Sequence, residues 1–478
     1  MKSLIGNTWR DSSDGKVIEV MNPATNELVD TVPSLTKEDV EEAIKYAHDH
    51  QKEWENLSVV ARCEILSKFA ELVEKNKDEL AKLLSDETGK PIKEAYNEIA
   101  NIQIGVPGYV EKVKHEYGDI IYRGAEKGQE NTIQYTIRQP LGVVVAIIPF
   151  NFPSDIFINK VPPALLMGNS VILKPASANP LTLTRYVELL VEAGVPAGVI
   201  SVVHGSGSVV GTTLTSSKLV DMVSLTGSTA AGIDAAKNCA EHCAHNSLEL
   251  GGNDAFIICA DGDIDLAVEE TVWGRLYNTG QVCCASKRFL VENSVKDEFI
   301  NKMVAKIKTL KVGMPSDADT DIGCLISEDA AIEVEKQVNK TIEAGAKLVY
   351  GGRRKGAFYE PTILDNVTRD MEVAKDMEIF GPVIPVIGFD TIEEAVEIAN
   401  GSIYGLSGAI VTRDFNKAIK VSEQMECGGF VINGASFFRS FEQPFGGWKY
   451  SGIGNEGIMT TLNEMSRMKT VILKNVTK

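Results

Sequence analysis

Three short segments combine residue types that can share one covalent reaction. Asn278-Thr279-Gly280-Gln281-Val282-Cys283-Cys284 sets a glycine and a glutamine just before a cysteine, a pattern suited to presenting a thiol to a site. Its thiolate would be a strong nucleophile, although a free cysteine serves as readily as a small buried apolar group. Leu248-Glu249-Leu250-Gly251-Gly252-Asn253 holds a carboxylate between leucines. Apolar surroundings resist ionisation, and a carboxylate so raised can act as a general base near neutral pH. The competing use is a structural glutamate accepting backbone hydrogen bonds at a turn. Pro149-Phe150-Asn151-Phe152-Pro153 closes an apolar run. An asparagine there can offer its amide NH₂ to a developing oxyanion, or simply turn the chain between prolines.

Groups so far apart in sequence need a scaffold that brings them together. Residues 37–54 and 60–88 carry apolar positions three and four apart, the pattern of amphipathic helices. From residue 141, LGVVVAIIPF, SVILKP, VISVVHG and DMVSLTG are short β-rich runs ending in Pro or Gly. Helix-length segments at 155–167, 180–194, 206–218 and 228–242 separate them. Such alternation predicts a parallel sheet with helices on both faces, a doubly wound, Rossmann-like α/β unit. The unbroken apolar run VVVAII suits a strand covered on both sides. A second alternating region follows LELGGN, with KRFLVENS, AKLVYGG, GPVIPVIGF, LSGAIVT and GGFVING, and predicts a second α/β domain. Residues 119–140 look like an inserted hairpin, and the C-terminal RMKTVILKN is a strand without an evident core, suited to pairing across a subunit interface. The expected division is 1–118 with 141–251 as a cofactor-binding domain, 252–450 as a catalytic domain, and 119–140 with 465–478 as a small β oligomerisation arm.

Two glycine-rich turns follow strands. Gly205-Ser206-Gly207 runs on to Gly211, one residue too long for G-x-G-x-x-G, and Gly227-Ser228-Thr229-Ala230-Ala231-Gly232 ends a strand and opens a helix. Neither continues into Gly-Lys-Ser/Thr, which excludes a P-loop. Both still offer a helix N-terminus to a pyrophosphate.

Composition narrows the partners. The chain has 478 residues, of which 44% are hydrophobic and 24% charged, the balance of a soluble globular protein. A net charge of −18 argues against nucleic acid, which demands a positive field. No secretory h-region opens the chain, and no run approaches the roughly 20 apolar residues needed to span a bilayer. The eight cysteines lack framework spacing and read as reduced thiols, so a cytoplasmic location is expected. Cys239, His242, Cys243 and His245 cluster, but His245 falls off the helical face of the others, and no metal site is expected.

Taken together, the FNFP, LELGG and GQxC segments, in that order, resemble the aldehyde dehydrogenase superfamily. The resemblance runs from VMNPATNE near the N-terminus to PFGGWKYSGIGNEG near the C-terminus. It implies that Cys283 attacks an aldehyde, that Asn151 and the Cys283 N–H hold the oxyanion, and that Glu249 activates the water that hydrolyses the thioester. Lys160 matches a family lysine near the active site, and Glu456 matches an acid associated with proton relay. For the cofactor, the resemblance assigns Lys174 to the adenosine ribose and Pro149, Gly207, Gly227, Ser228, Gly232 and Leu250 to the surrounding cradle. Glu378 and Phe380 in EIFGPV would position the nicotinamide ribose and ring. NAD-preferring relatives usually carry a Glu three residues after the ribose lysine, where this chain has Ser177. A serine there repels no 2′-phosphate, so NADP is expected as the preferred cofactor, with NAD tolerated.

The pattern is nearest to NADP-using succinate semialdehyde, lactaldehyde and non-phosphorylating glyceraldehyde-3-phosphate dehydrogenases. Asn159 and Tyr277 stand where succinate semialdehyde enzymes place carboxylate-binding arginines, which weakens that assignment. Arg439, among the aromatics of SFFRSFEQPFGG, falls in the segment lining the family's substrate entrance, with Ser440 beside it. An arginine there can clamp a carboxylate, phosphate or sulfonate, or remain a loop residue in solvent. The expected substrate is a small hydroxylated or anionic aldehyde: lactaldehyde, sulfolactaldehyde, glyceraldehyde 3-phosphate or a semialdehyde. Rival readings are a CoA-acylating dehydrogenase, for which Glu249 would be superfluous, and a catalytically silent member, which would not retain Asn151, Glu249 and Cys283 together. A nucleotide-binding regulator would not need the second domain. The resemblance also implies a homodimer or homotetramer.

Overall fold

The computed structural model describes residues 1–116 and 118–476. Tyr117, at the edge of the expected 1–118 segment, and Thr477 and Lys478, at the end of the expected arm, lie outside the described residues.

Strands rich in valine and isoleucine form the centre of the first sheet. Val143–Ile147 lies in the middle, with Ser170–Lys174 and then Ile200–Val202 on one side. Met222–Thr226 and then His245–Glu249 lie on the other. All five run parallel, as strands joined by crossover helices must. Strand alternation divides Val143–Ile147 between two cores: Val144 and Ala146 pack into one cluster, Val143 and Val145 into another. This explains the unbroken apolar run, since both faces are covered. Strand order reverses between Val143–Ile147 and Met222–Thr226, the switch point beyond whose carboxyl ends an open α/β sheet binds ligands.

Helices take their expected places at Lys37–Glu55, Pro153–Leu166, Leu181–Ala193 and Thr229–Ala240. Pro153 occupies the first helical turn, where its missing N–H costs nothing. The stretch expected as one helix over 60–88 is two, Val59–Lys75 and Lys77–Thr88. They break at Asn76, whose side chain donates to the Leu72 carbonyl at 2.8 Å and so competes with the helical ladder. The 206–218 segment is a π-turn, Gly207–Gly211, followed by the single turn Thr212–Ser216.

The second sheet holds Thr362–Val367, Val383–Phe389, Ser286–Glu292, Asp254–Ile258, Ser407–Val411 and Gly429–Ile432 in parallel, edged by the antiparallel Lys347–Tyr350. The chain then returns: Gly452–Ile453 pairs with His245–Glu249, and Ile458, Leu462 and Met465 join the core of the first sheet. The orphan C-terminal strand finds a partner within its own chain. Ser466–Lys474 lies antiparallel along the whole of Thr132–Pro140, which also pairs with Ile120–Ile121.

Candidate active site

The segment before Cys283 is backbone under constraint. Asn278, Thr279 and Gly280 all have positive φ, at 49°, 55° and 77°. Such a conformation is unfavourable for a β-branched residue and persists only where its surroundings hold it. The Asn278 N–H donates to Glu94 Oε2 at 2.8 Å, its side chain to the Asn151 carbonyl at 2.9 Å, and the Gln281 side chain to the Asn278 carbonyl at 3.1 Å. Gln281 Oε1 accepts the Ile326 N–H at 2.9 Å. A Cβ on Gly280 would stand 2.4 Å from the Gly381 backbone. The Gly-Gln pair is thus explained: glycine fits the turn against Gly381, and glutamine ties it down.

This turn leaves Cys283 half-buried, packed like Phe152, Phe437 and Phe445 against a small core of Val282, Cys284, Ala285 and Leu406. Its thiol is brought down to about 7, chiefly by the Cys284 thiol, whose sulfur lies 4.0 Å away, with Lys287 and Arg439 assisting against burial. Cys284 moves the opposite way, well above the ordinary thiol range.

Glu249 ends the His245–Glu249 strand with Leu248 and Leu250 packed in the core beside it. The reading of a glutamate accepting hydrogen bonds at a turn does not hold. It is 2% exposed, and among the described residues neither carboxylate oxygen has a hydrogen-bond partner. Burial, then the charge of Glu456, push its carboxyl well above the usual range, while Lys160 opposes them. Lys160, fully buried, donates to Glu456 Oε1 at 2.5 Å and to Ser224 Oγ at 2.9 Å. Asn151 is buried at the start of the turn into Pro153–Leu166. Its carbonyl accepts from Lys90 Nζ and from the Asn278 side chain, each at 2.9 Å. The oxyanion candidate and the nucleophile turn are therefore fastened to each other.

Beyond the carboxyl ends of the first sheet lie the residues expected to meet a dinucleotide. Ser228 caps Thr229–Ala240 by accepting the Ala231 N–H at 3.3 Å. A Cβ on Gly232 would strike Leu250 Cδ2 at 2.4 Å, so any larger residue there must displace the Leu250 side chain. Gly227 donates its N–H to the Glu249 carbonyl at 3.0 Å, and a Cβ on Gly207 would meet only open space. Lys174 is buried, reaching only the Pro175 carbonyl at 3.3 Å, and burial brings its ammonium down to about 8. Ser177 donates to the Gly205 carbonyl at 3.1 Å. Pro149 is half-buried just past Val143–Ile147, and next to it Phe150 meets Phe380 edge-on, ring centres 5.9 Å apart. Glu378 Oε1 accepts the Gly252 N–H at 3.3 Å.

The aromatic wall continues away from the thiol. Tyr277 stacks on Phe152 at 6.0 Å and meets Phe437 at 6.1 Å, and it also lines a cavity of about 360 Å³ with Glu94, Trp273 and Leu310. The Arg439 guanidinium lies 3.6 Å from the centre of the Phe445 ring, and its Nη1 is buried without a hydrogen-bond partner. Ser440 is exposed. Asn159 is occupied elsewhere: buried, its Oδ1 accepts the Tyr109 hydroxyl at 3.1 Å.

Sequence reading missed the buried charges that hold these groups. Lys90 pairs with Glu98, Glu94 accepts from the nucleophile turn, and Lys287 reaches both the Cys283 carbonyl and Glu378. Lysine and arginine leading directly into an apolar strand, as in CASKRFLV, were the available signal. Among the described residues, no helix is long and apolar enough to cross a membrane, and all eight cysteines are unpaired.

With this geometry in view, similarity to known proteins decides the family. The aldehyde dehydrogenase family profile matches residues 9–471. This chain belongs to the aldehyde dehydrogenase family. A lactaldehyde dehydrogenase of Methanococcus aeolicus is 40% identical over 474 residues, covering 98% of this chain and 99% of its own. A 3-sulfolactaldehyde dehydrogenase of Pseudomonas putida is 37% identical, covering 99% and 97%. Among solved structures, an NADP-dependent enzyme of E. coli superposes with a TM-score of 0.95 at 36% identity, over 99% of this chain and 98% of that one. As a member of this family, the chain is an NAD(P)-dependent oxidoreductase that acts on a small aldehyde.

Proposed function

We propose that this enzyme oxidises a small anionic or hydroxylated aldehyde to its carboxylic acid, with NADP preferred over NAD. The observation that carries the substrate class is Arg439. Its guanidinium is fixed against Phe445, one nitrogen is buried without a partner, and its charge reaches both Cys283 and Glu249. A buried donor with no acceptor is costly unless a ligand completes it. A carboxylate, phosphate or sulfonate one or two carbons from the aldehyde has the matching shape and charge. The lactaldehyde and sulfolactaldehyde enzymes among the relatives support this class.

The chemistry rests on the residues assembled above. Cys283 as thiolate adds to the aldehyde carbon, and the Asn151 amide with the Cys283 N–H takes the oxyanion. Losing one such donor typically costs about 2.7–4 kcal/mol of barrier. A nicotinamide dinucleotide, when bound, would accept a hydride from the adduct carbon. Collapse of the tetrahedral adduct expels that hydride and leaves a thioester on Cys283. Glu249, buried and without a partner, takes a proton from water, and the hydroxide attacks the thioester to release the acid and the thiolate. Lys160 holds Glu456 by an ion pair, and the charge of Glu456 reaches Glu249, so we assign Glu456 to the onward relay of the proton that Glu249 must shed.

The donor set fits the dinucleotide. A capped helix N-terminus, a glycine at closest approach and a buried lysine stand together beyond the switch point. Lys174 would meet the adenosine ribose, Gly207, Gly227, Ser228, Gly232, Leu250 and Pro149 would line the cradle, and Glu378 and Phe380 would set the nicotinamide half. Ser177 supports NADP, because nothing at that position repels a 2′-phosphate and Lys174 can pair with it. Succinate semialdehyde is the weaker alternative: Asn159 is committed to Tyr109 and Tyr277 to Phe152, and neither position supplies a cation.

We also infer a homodimer or homotetramer built through the three-stranded arm, where Met468 and Ile472 of its edge strand are 57% and 59% exposed. Light scattering of the purified protein tests it. Unpaired cysteines throughout support a cytoplasmic enzyme, and a cofactor-binding unit on the first sheet with a catalytic unit on the second is the division we adopt.

The test is reduced-cofactor formation across lactaldehyde, sulfolactaldehyde, glyceraldehyde 3-phosphate, succinate semialdehyde and propanal, with NADP and NAD in parallel. Anionic aldehydes should win by kcat/KM. Arg439→Ala should lower their kcat/KM about 10- to 100-fold, the worth of one charge-assisted hydrogen bond, and that of propanal much less, by the share of the thiol's activation that Arg439 supplies. Equal turnover of propanal by the unaltered enzyme would remove Arg439 from the substrate site.

A further inference from the structure

The Cys283 thiol has a buried cation beneath it that the reaction scheme does not use. Lys287 sits at the second position of Ser286–Glu292 and is 1% exposed. A lysine so deep must be matched by acceptors or lose its charge. Here the ammonium donates to the Cys283 carbonyl and lies 3.0 Å from Glu378 Oε1. Asp254, at the start of the neighbouring strand, is also buried and feels the same ammonium. Its Oδ1 accepts the Ser407 N–H at 3.1 Å, while Oδ2 has no partner. The Phe380 ring lies 5.8 Å from the ammonium.

One side chain therefore joins two parts with different tasks: the carbonyl of the nucleophile and the carboxylate set toward the nicotinamide ribose. We propose that Lys287 is a positioning residue for Cys283, anchoring its carbonyl and dividing one buried positive charge between the thiol and Glu378. The anchoring of the Cys283 carbonyl stands on the contacts alone, and the ribose half rests on the assignment of Glu378 made above. Charge withdrawn by Glu378 is lost to the thiolate, and indeed Glu378 acts on Cys283 in the raising direction while Lys287 lowers it. When ribose hydroxyls donate to Glu378 they neutralise part of its pull, so cofactor binding strengthens the hold of Lys287 on the thiolate.

The other titratable or charged groups facing the thiol are Cys284, Arg439, Glu249 and Asp254. None of them touches the Cys283 carbonyl in the way Lys287 does, so substitution at Lys287 should be separable from theirs. The two partners of the pair also make opposite predictions, which a purely structural contact would not.

The experiment is the pH dependence of Cys283 alkylation by iodoacetamide in the cofactor-free enzyme, followed by mass spectrometry of the modified peptide. In Lys287→Met the inflection should rise by about one unit, slowing alkylation at neutral pH about fivefold. Lys287→Arg, which keeps the charge, should restore most of that rate. Glu378→Gln should move the inflection downward, and this second variant tests the proposal even if Lys287→Met does not fold. Profiles of Lys287→Met and Glu378→Gln that superimpose on the unaltered enzyme would overturn the proposal. Cofactor affinity, read by quenching of tryptophan fluorescence with NADPH, separates the two assignments. A shifted thiol in Glu378→Gln with unchanged NADPH affinity upholds Lys287 and removes Glu378 from the ribose site.

Discussion

The two large sheets meet at the site with opposite ends. The first sheet contributes residues at the carboxyl ends of its strands: Asn151 after Val143–Ile147, Lys174 closing Ser170–Lys174, Gly227 after Met222–Thr226 and Glu249 closing His245–Glu249. The second contributes residues at the amino ends of its strands: Asp254 opens Asp254–Ile258, Cys283 comes before Ser286–Glu292, and Glu378 and Phe380 come before Val383–Phe389. The difference has an electrostatic consequence. Carboxyl ends of parallel strands lead into helix N-termini, so the backbone itself provides a positive, donor-rich rim for an anion. The amino ends have no such rim. Around Cys283 the field is built instead from buried side chains, Lys287 beneath and Arg439 across the aromatic wall. A cradle for a cofactor is thus a property of the fold, whereas activation of the nucleophile is a property of individual charges.

Substitutions on each side should break different steps. The largest effect is expected for Glu249→Gln, on the first side but acting on the second: steady-state turnover should fall about 10²- to 10⁴-fold, the usual worth of general base catalysis. A first-turnover burst of reduced cofactor should survive, because Glu249 is assigned to deacylation; stopped-flow absorbance checks it, and loss of the burst would mean that Glu249 also serves the acylation step.

Ser177→Glu stays on the first side. A carboxylate facing a 2′-phosphate should shift the NADP-to-NAD ratio of kcat/KM toward NAD by about 10- to 100-fold, since like charges brought together cost several kcal/mol. An unchanged ratio would place the 2′-phosphate elsewhere. The alkylation profile of Cys283 in this variant should match that of the unaltered enzyme.

A smaller effect, centred on the thiol of the second side, is expected from pH. Thiolate is the reactive form, so activity should rise with pH through the Cys283 inflection near 7 and fall below it. One unit below the inflection, alkylation should be about tenfold slower than its plateau. Cofactor affinity should stay flat over the same range, apart from Lys174, whose lowered value of about 8 loosens the ribose side only as pH rises past it.

The smallest comparison is between two glycines. Gly232→Ala drives a methyl into Leu250, a strain of about 1–3 kcal/mol that side-chain movement can partly relieve. It should weaken cofactor binding and spare thiol alkylation. Gly280→Ala meets the Gly381 backbone, which cannot swing away, so its loss of thermal stability should be the greater and alkylation should slow with it. Equal melting temperatures for the two variants would contradict the account of the nucleophile turn.

Much of the fold was legible because its signals are local. Apolar runs ending in Pro or Gly marked the strands, and the unbroken VVVAII announced a strand covered on both faces. Where local signals compete, the reading slipped. The pattern over 60–88 favours helix throughout, yet one asparagine side chain bonding to its own backbone at Asn76 divides it. The return of Gly452–Ile453 to the first sheet was not legible at all, because two residues carry no periodicity. Likewise RMKTVILKN read as a strand without a partner, and the antiparallel match to Thr132–Pro140 appears only when the long intervening chain is folded.

Motif order by itself pointed to the proposed trio and to the family, since a nucleophile, a base and an oxyanion donor must be particular residue types in short, constrained turns. It also determined that the chain would form alternating α/β units, because hydrophobic periodicity is written residue by residue. Only the tertiary structure decided how those groups are charged. Whether Glu249 accepts hydrogen bonds or lies buried without them depends on packing from distant segments, as does the confinement of Asn159 by Tyr109. The pairing of Lys287 with the Cys283 carbonyl and Glu378 likewise joins residues far apart in the chain or brought close by a turn held from Glu94. Ionisation responds to burial and to neighbours in space, and neither is a property of a residue's position along the chain.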